Sequence, residues 1–393
     1  PATTNGDGTR FVLEAQCQPV PAGLQTGNPE TVGLSAKNGH RDVSHETQYR
    51  DLKTMPELRL DPLVQRWVVI APERANRPME LHPEGRLNEL GFDPFAEGNE
   101  AHTPPETFAV RNPGSAPNGP GWRVRVVPNR YPALQFEDSL KPPENLFDQR
   151  PENPFYQQQS GWGVHEVIIE CPHDEASLCR LNRENFCEII EAYQQRLLML
   201  KQDPRLVHVT IFKNSGWQAG ASVRHTHSQL IATPVIPMTV NQEIEGGERY
   251  FRQQGQSLFH ELVRQETATG SRIVLETNDF LVFCPYASRF PFETCILPKQ
   301  QKSHFEMVSP LEKAELGGVL RNVLQRLERA LSNPAYNYVI HTAPFTAPEL
   351  PHFRWHIEIL PRITGVAGFE WGSGLFINPV PPEEAAQRMR ESI

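Results

Sequence analysis

The chain has 393 residues, enough for one large core or two smaller ones, and its 38% hydrophobic and 22% charged residues are the balance of a soluble globular protein. A formal charge of −9 without a long Lys/Arg run argues against nucleic acid as the main partner, and no apolar run is long enough to span a bilayer. Six cysteines form no CxxC pair and no basic-then-apolar leader is visible, so the expectation is a cytoplasmic protein with reduced thiols.

In chain order, residues 1–55 are rich in Gly, Thr, Asn and Pro without periodicity and read as a flexible extension. Order is expected from near Leu58. Residues 67–71 (WVVIA) read as a buried strand and 122–127 (WRVRVV) as a half-buried one, with Pro-rich loop over 78–120. A regular pattern follows: a strand at 165–170, a helix over roughly 182–200, a strand at 207–212 and a strand around His225-Thr-His-Ser-Gln229. It then returns as a strand at 292–297, a helix over 310–331, a strand at 337–340 and another at 353–360. Glu166 and Glu293 are 127 residues apart, as are Asn214 and His341, which argues for an internal duplication. The two halves are expected at 56–240 and 241–393, each a strand, helix, strand, strand unit of α+β type with helices on one face of an antiparallel sheet.

The segment from Lys213 to Gln229 carries most of the chemistry. His225, His227 and Gln229 alternate, so on a strand they share a face. A Gly-rich turn over 216–221 lets backbone amides approach a phosphate, and the histidines behind it offer a nucleophile or a metal ligand.

From Arg59 onward, several ordered motifs resemble the galactose-1-phosphate uridylyltransferase branch of the histidine-triad superfamily, which includes plant ADP-glucose phosphorylase. They are RLDPLVQRWVVIAPERANRP at 59–78, VPNRYP at 127–132, HTHSQ at 225–229, and VAGFEWGSG followed by INP at 366–379. Together they are far more specific than His-x-His alone. The resemblance implies a duplicated histidine-triad fold in which His227 is the nucleophile and Gln229 a donor to a phosphoryl oxygen. The superfamily's hydrolases typically carry a third histidine at the position of Gln229, so the resemblance favours transfer over hydrolysis.

By the same resemblance, Asn214 and Ser222 contact phosphate, Arg74 and Arg77 lie near the nucleotide, Asn129 near its ribose, and Glu370 near a hexose hydroxyl. Arg130 departs from the acidic residue that the uridylyltransferases have beside Asn129. The family's zinc ligands correspond to Asp93, Ala96, Asp174 and His225, a degenerate set that has lost both thiolates and is expected to hold no zinc, with His173 nearby. A second family site corresponds to Glu243, His341, His356 and Glu358, a donor set that suits one structural zinc or iron. The implied activity is exchange of UMP between UDP-glucose and a hexose 1-phosphate such as galactose 1-phosphate, through a nucleotidyl-histidine. The alternatives are an ADP-glucose phosphorylase and a nucleotide-binding protein without turnover. A homodimer is implied as well, with no membrane or nucleic-acid partner.

Overall fold

The computed structural model describes residues 57–70, 92–134, 136 and 162–392. The expected N-terminal extension, Cys17, Arg74 and Arg77 lie outside these residues. The first described elements are β1 (Glu57–Leu60) and β2 (Trp67–Ile70), paired antiparallel. Next come β3 (Phe108–Arg111), β4 (Trp122–Pro128) and β5 (Val164–Ile169), then α1 (Arg183–Leu200), β6 (His208–Ser215) and β7 (His227–Thr233). The second half holds α2 (Met238–Gln254), α3 (Leu258–Thr269), β8 (Ile273–Glu276), β9 (Phe280–Phe283), β10 (Thr294–Pro298) and α4 (Pro310–Leu331). It closes with β11 (Tyr336–His341), β12 (His356–Pro361), α5 (Gly368–Ser373), β13 (Phe376–Asn378) and α6 (Pro382–Glu391).

Both long helices start where their sequences supply reciprocal caps. The Asn182 side chain accepts from the Asn185 amide while that of Asn185 accepts from Asn182, and Ser309 and Glu312 do the same ahead of α4, with Pro310 in its first turn. The two helices pack side by side on one face of the sheet. Ile189, Ile190, Tyr193 and Leu197 of α1 and Leu316, Leu320, Val323 and Leu327 of α4 are buried there, against Ile168, Leu230, Tyr338 and Ile359.

One antiparallel ten-stranded sheet runs through both halves in the order β3-β4-β5-β7-β6-β11-β12-β10-β9-β8. Its centre is the β6–β11 pair, from which β7, β5 and β4 extend one way and β12, β10 and β9 the other. The duplication expected from spacing is therefore present; the ladders bear out the correspondence of Asn214 with His341 and correct that of Glu166 with Glu293. Gln229 pairs with Val167 on one side and Phe212 on the other, as Glu358 pairs with Cys295 and Val339. His356 is thus the counterpart of His227, and the counterpart of Glu293 is His165, not Glu166. The slip of one residue reverses the face: Glu166 lies on the helix side in a buried bidentate pair with Arg196, at 2.7 and 2.8 Å.

Two further features lie beyond the sequence pattern. The stretch expected as loop contains β3, whose four residues are only half-buried on the sheet edge. On the face opposite α1 and α4, α2 and α3 cover the second half, with Ile244, Phe259, Leu262 and Val263 against Leu281, Leu297 and Phe353. The Gly246-Gly247 pair within α2 looks like a break but permits this contact. A Cβ on Gly246 would lie 1.8 Å from the Leu63 carbonyl oxygen, and one on Gly247 2.2 Å from that of His352.

Candidate active site

His227 opens β7 on the face opposite α1. Ser228, Leu230 and Ala232 point the other way into the core, and Ser228 Oγ accepts from Tyr193 Oη at 2.7 Å. Gln229, one pleat along, shares the His227 face; His225 precedes the strand. The His225 carbonyl oxygen is 2.8 Å from His227 Nδ1, and because a carbonyl only accepts, the ring proton sits on Nδ1. Nε2 therefore keeps its lone pair. Burial pushes the His227 pKa below the ordinary 6.5, with Lys213 adding to the effect and the His225 carbonyl opposing it. The ring is a neutral imidazole with a fixed nucleophilic nitrogen, and the Phe95 ring holds it edge-on at 5.5 Å between centroids.

Beneath the strand lies a charged network that residue types alone did not reveal. Lys213 Nζ donates to Glu170 Oε2 at 2.5 Å, to Thr226 Oγ1 at 2.8 Å and to the His227 carbonyl at 2.9 Å. Lys213 and Glu170 are 1% and 0% exposed, so the ammonium is satisfied entirely within the protein and pins the backbone of the candidate nucleophile.

Beside His227 the Gly-rich segment forms a tight turn whose 219, 220 and 221 amides bond within the turn, where the sequence pattern predicts amides open to a phosphate. Gly216 and Gly220 have φ of 82° and 89°, and the 216 carbonyl oxygen accepts from the amides of Ala219 and Ala221. Asn214 lies at the end of β6, next to Asn337 of β11. Asn337 Nδ2 is 2.8 Å from both the Ala219 carbonyl oxygen and Asn214 Oδ1, and Arg362 Nε donates to Asn337 Oδ1 at 2.6 Å. The carbonyl fixes Nδ2 of Asn337 as the donor, so Asn214 accepts on Oδ1 and turns its NH2 group toward Gly220. Ser222 is exposed on the loop before β7, with no hydrogen-bond partner among the described residues. Asn129 is 3.4 Å from Gln229, through Nδ2 and Oε1. Glu370 lies on α5 and accepts from the Ala367 amide at 3.0 Å, so in this structure its carboxylate caps a short helix.

Both potential metal positions hold an internal His–carboxylate pair, Asp93 with His225 in the first half and Glu243 with His341, at 2.9 Å, in the second. Asp93, Asp174 and His225 each place one donor atom within 4.8 Å of the others. All three also have protein partners: Asp93 Oδ2 is 2.6 Å from His225 Nδ1, His225 Nε2 is 2.9 Å from the Cys171 carbonyl oxygen, and Asp174 pairs with Arg224 at 2.6 and 2.8 Å. His173 is exposed and outside this cluster.

In the second half, Glu243, His341 and His356 likewise converge within 4.8 Å, and all three are buried. His356 donates Nδ1–H to the Arg354 carbonyl at 3.0 Å, which leaves Nε2 unprotonated 3.9 Å from Glu243. Burial works against charge on His341, but Glu243 and Glu358 outweigh it and raise its pKa to about 9. Glu358 does not join the three-donor group. Its Oε2 accepts from Arg289 at 2.6 Å, and Arg289, with the two histidines, overcomes burial and holds the carboxyl well below the usual range. The expected four-ligand set is thus a three-donor set beside a guanidinium–carboxylate pair.

Residues 45–237 match the N-terminal domain model of galactose-1-phosphate uridyl transferase and residues 243–375 its C-terminal domain model. The chain is similar to ADP-glucose phosphorylase of Arabidopsis thaliana, with 36% identity over 343 residues covering 86% of this chain and 93% of the relative. It is also similar to galactose-1-phosphate uridylyltransferase of Thermotoga maritima, with 28% identity over 346 residues covering 86% and 99%. Among solved structures, the Arabidopsis thaliana ADP-glucose phosphorylase with bound ADP-glucose superposes with a TM-score of 0.71 at 35% identity, covering 86% of this chain and 99% of that one.

Proposed function

The chain belongs to the galactose-1-phosphate uridylyltransferase family, and from that premise we propose that it transfers a nucleotidyl group by double displacement at His227. The observation that carries this is the His227 ring: tied through Nδ1, neutral through burial, and presenting Nε2 beside the glycine turn and two amide side chains. Nε2 attacks the α-phosphorus of a nucleoside diphosphate hexose, the P–O bond to the sugar 1-phosphate breaks, and the phosphoramidate on Nε2 is displaced by a second phosphate. Asn214 and Gln229 supply N–H groups to the charge that develops on the phosphoryl oxygens.

The finer reading is exchange of UMP between UDP-glucose and galactose 1-phosphate. Both halves of the chain match uridyl transferase domain models, and the Thermotoga relative is covered over 99% of its length. A second reading, phosphorolysis of ADP-glucose, is favoured by the higher identity to the plant phosphorylase, 36% against 28%. The two half-reactions separate base choice from acceptor choice. On the first reading, labelled adduct forms faster from UDP-glucose than from ADP-glucose and is discharged by galactose 1-phosphate. Faster labelling by ADP-glucose, with discharge by inorganic phosphate alone, establishes the phosphorylase.

Glu243, His341 and His356 form the position where a structural zinc or iron fits, since two imidazoles and a carboxylate suit either ion. An ion there would cross-link α2, β11 and β12 without entering the chemistry. The Asp93–His225 contact serves the first half as a hydrogen-bonded substitute for a metal. Elemental analysis of the purified protein is expected to find one zinc or iron per chain, lost in His356→Ala and retained in Asp93→Ala. The reverse pattern would move the metal to the first half.

A further inference from the structure

We propose that His165 is a positioning residue that locks the Gln229 amide with its NH2 group toward the transferring phosphoryl group. The proposal rests on the nucleotidyl-transfer reading above. A glutamine amide is nearly symmetric in shape, so either its oxygen or its nitrogen can face a site, and only its neighbours decide. Here two backbone donors decide.

His165 lies on β5, two residues from Val167, the ladder partner of Gln229, and on the same face. The Ala133 amide donates to His165 Nδ1 at 3.0 Å. A backbone N–H can only donate, so Nδ1 holds a lone pair and the neutral ring carries its proton on Nε2. That nitrogen is 2.9 Å from Gln229 Oε1 and donates to it. The Tyr131 amide donates to Asn129 Oδ1 at 2.8 Å, which turns Asn129 Nδ2 toward the pair, 3.1 Å from His165 Nε2 and 3.4 Å from Gln229 Oε1.

Gln229 Oε1 thus receives the Nε2–H of a ring whose tautomer is set by the backbone of the turn that follows β4, with the Asn129 NH2 packed against both groups. With the amide flipped, its NH2 group would face the His165 N–H and the Asn129 NH2, donor against donor. Gln229 Nε2 has no protein partner among the described residues and stands on the His227 face of β7. The lock pre-pays the orientation of a donor that is needed only when charge develops at phosphorus. The duplicated half supports the assignment: its counterpart of the His165–Gln229 contact is Glu293 and Glu358, two carboxylates bridged by Arg289, a pair with no donor of its own to present.

The test is the single-turnover rate of nucleotidyl-enzyme formation from UDP-glucose and from ADP-glucose, with affinity measured separately. His165→Leu should slow labelling about tenfold or more, short of the roughly 10²–10³ that complete loss of a preorganised donor costs, while affinity changes less than about threefold. His165→Gln, whose amide nitrogen can occupy the position of Nε2, should restore the rate to within about threefold of wild type. In a Gln229→Ala background His165→Leu should cost nothing further. An equal loss in both backgrounds, an unchanged rate in His165→Leu, or no recovery in His165→Gln would overturn the lock. Long-range 1H–15N correlation of His165 gives a readout independent of turnover, with the Nε2–H tautomer expected and the Nδ1–H tautomer contradictory. Wild-type protein that forms no adduct from either donor would instead sink the nucleotidyl-transfer reading, and this inference with it.

Discussion

His227→Asn is expected to abolish the covalent intermediate and to lower turnover by a factor on the order of 10⁴ to 10⁶, the range seen when an enzyme loses its nucleophile. Asparagine keeps a side-chain donor for the His225 carbonyl, so the local backbone and the fold should survive. What disappears is Nε2, the one ring nitrogen not committed to the protein. Among the described residues no other histidine near the site is free to inherit the role in the same geometry. The His225 nitrogens face Asp93 and Cys171, and His165 Nε2 is committed to Gln229. Steady-state rates and adduct yield, read alongside an unchanged circular dichroism spectrum, check this; turnover within tenfold of wild type would refute the assignment.

Lys213→Met is expected to destabilise the protein by about 3–5 kcal/mol, the cost of leaving one member of a buried ion pair without its partner. Glu170 would keep only the Thr226 hydroxyl and a 3.5 Å contact to Tyr193 Oη in place of an ammonium. The double variant Lys213→Met, Glu170→Leu should recover much of that loss, because removing both charges removes the unpaired one. Denaturant midpoints of the three proteins decide it. A single variant as stable as wild type would mean that water reaches Glu170. The same ammonium holds the His227 carbonyl, so the rate of adduct formation should fall in the double variant even where stability returns.

The sequence showed the parts of the fold that repeat. Apolar strands of period two, two amphipathic helices and their recurrence point to a duplicated sheet, and the alternation in His225-Thr-His-Ser-Gln229 places His227 and Gln229 on one face. It was silent where a contact depends on a distant segment. The glycine pair in α2 has its reason in distant segments, the Leu63 and His352 backbones that pack against it. Lys213 and Glu170 look like ordinary strand-end charges, though they meet beneath the site. A spacing of 127 residues gave the register of Asn214 and His341 but missed that of Glu293 by one, because connecting loops absorb a one-residue difference that the ladder hydrogen bonds do not. His165 is the hardest to anticipate. Its role comes from the Ala133 amide, which orients the ring, and no motif encodes that.

The most direct measurement is intact-mass spectrometry of the full chain after brief incubation with UDP-glucose or ADP-glucose. A mass gain of one nucleoside monophosphate is predicted, mapped to His227, labile to acid and stable to alkali as a phosphoramidate should be, and absent in His227→Asn. Release of sugar 1-phosphate without any adduct, or an adduct that persists in His227→Asn, would contradict the double displacement.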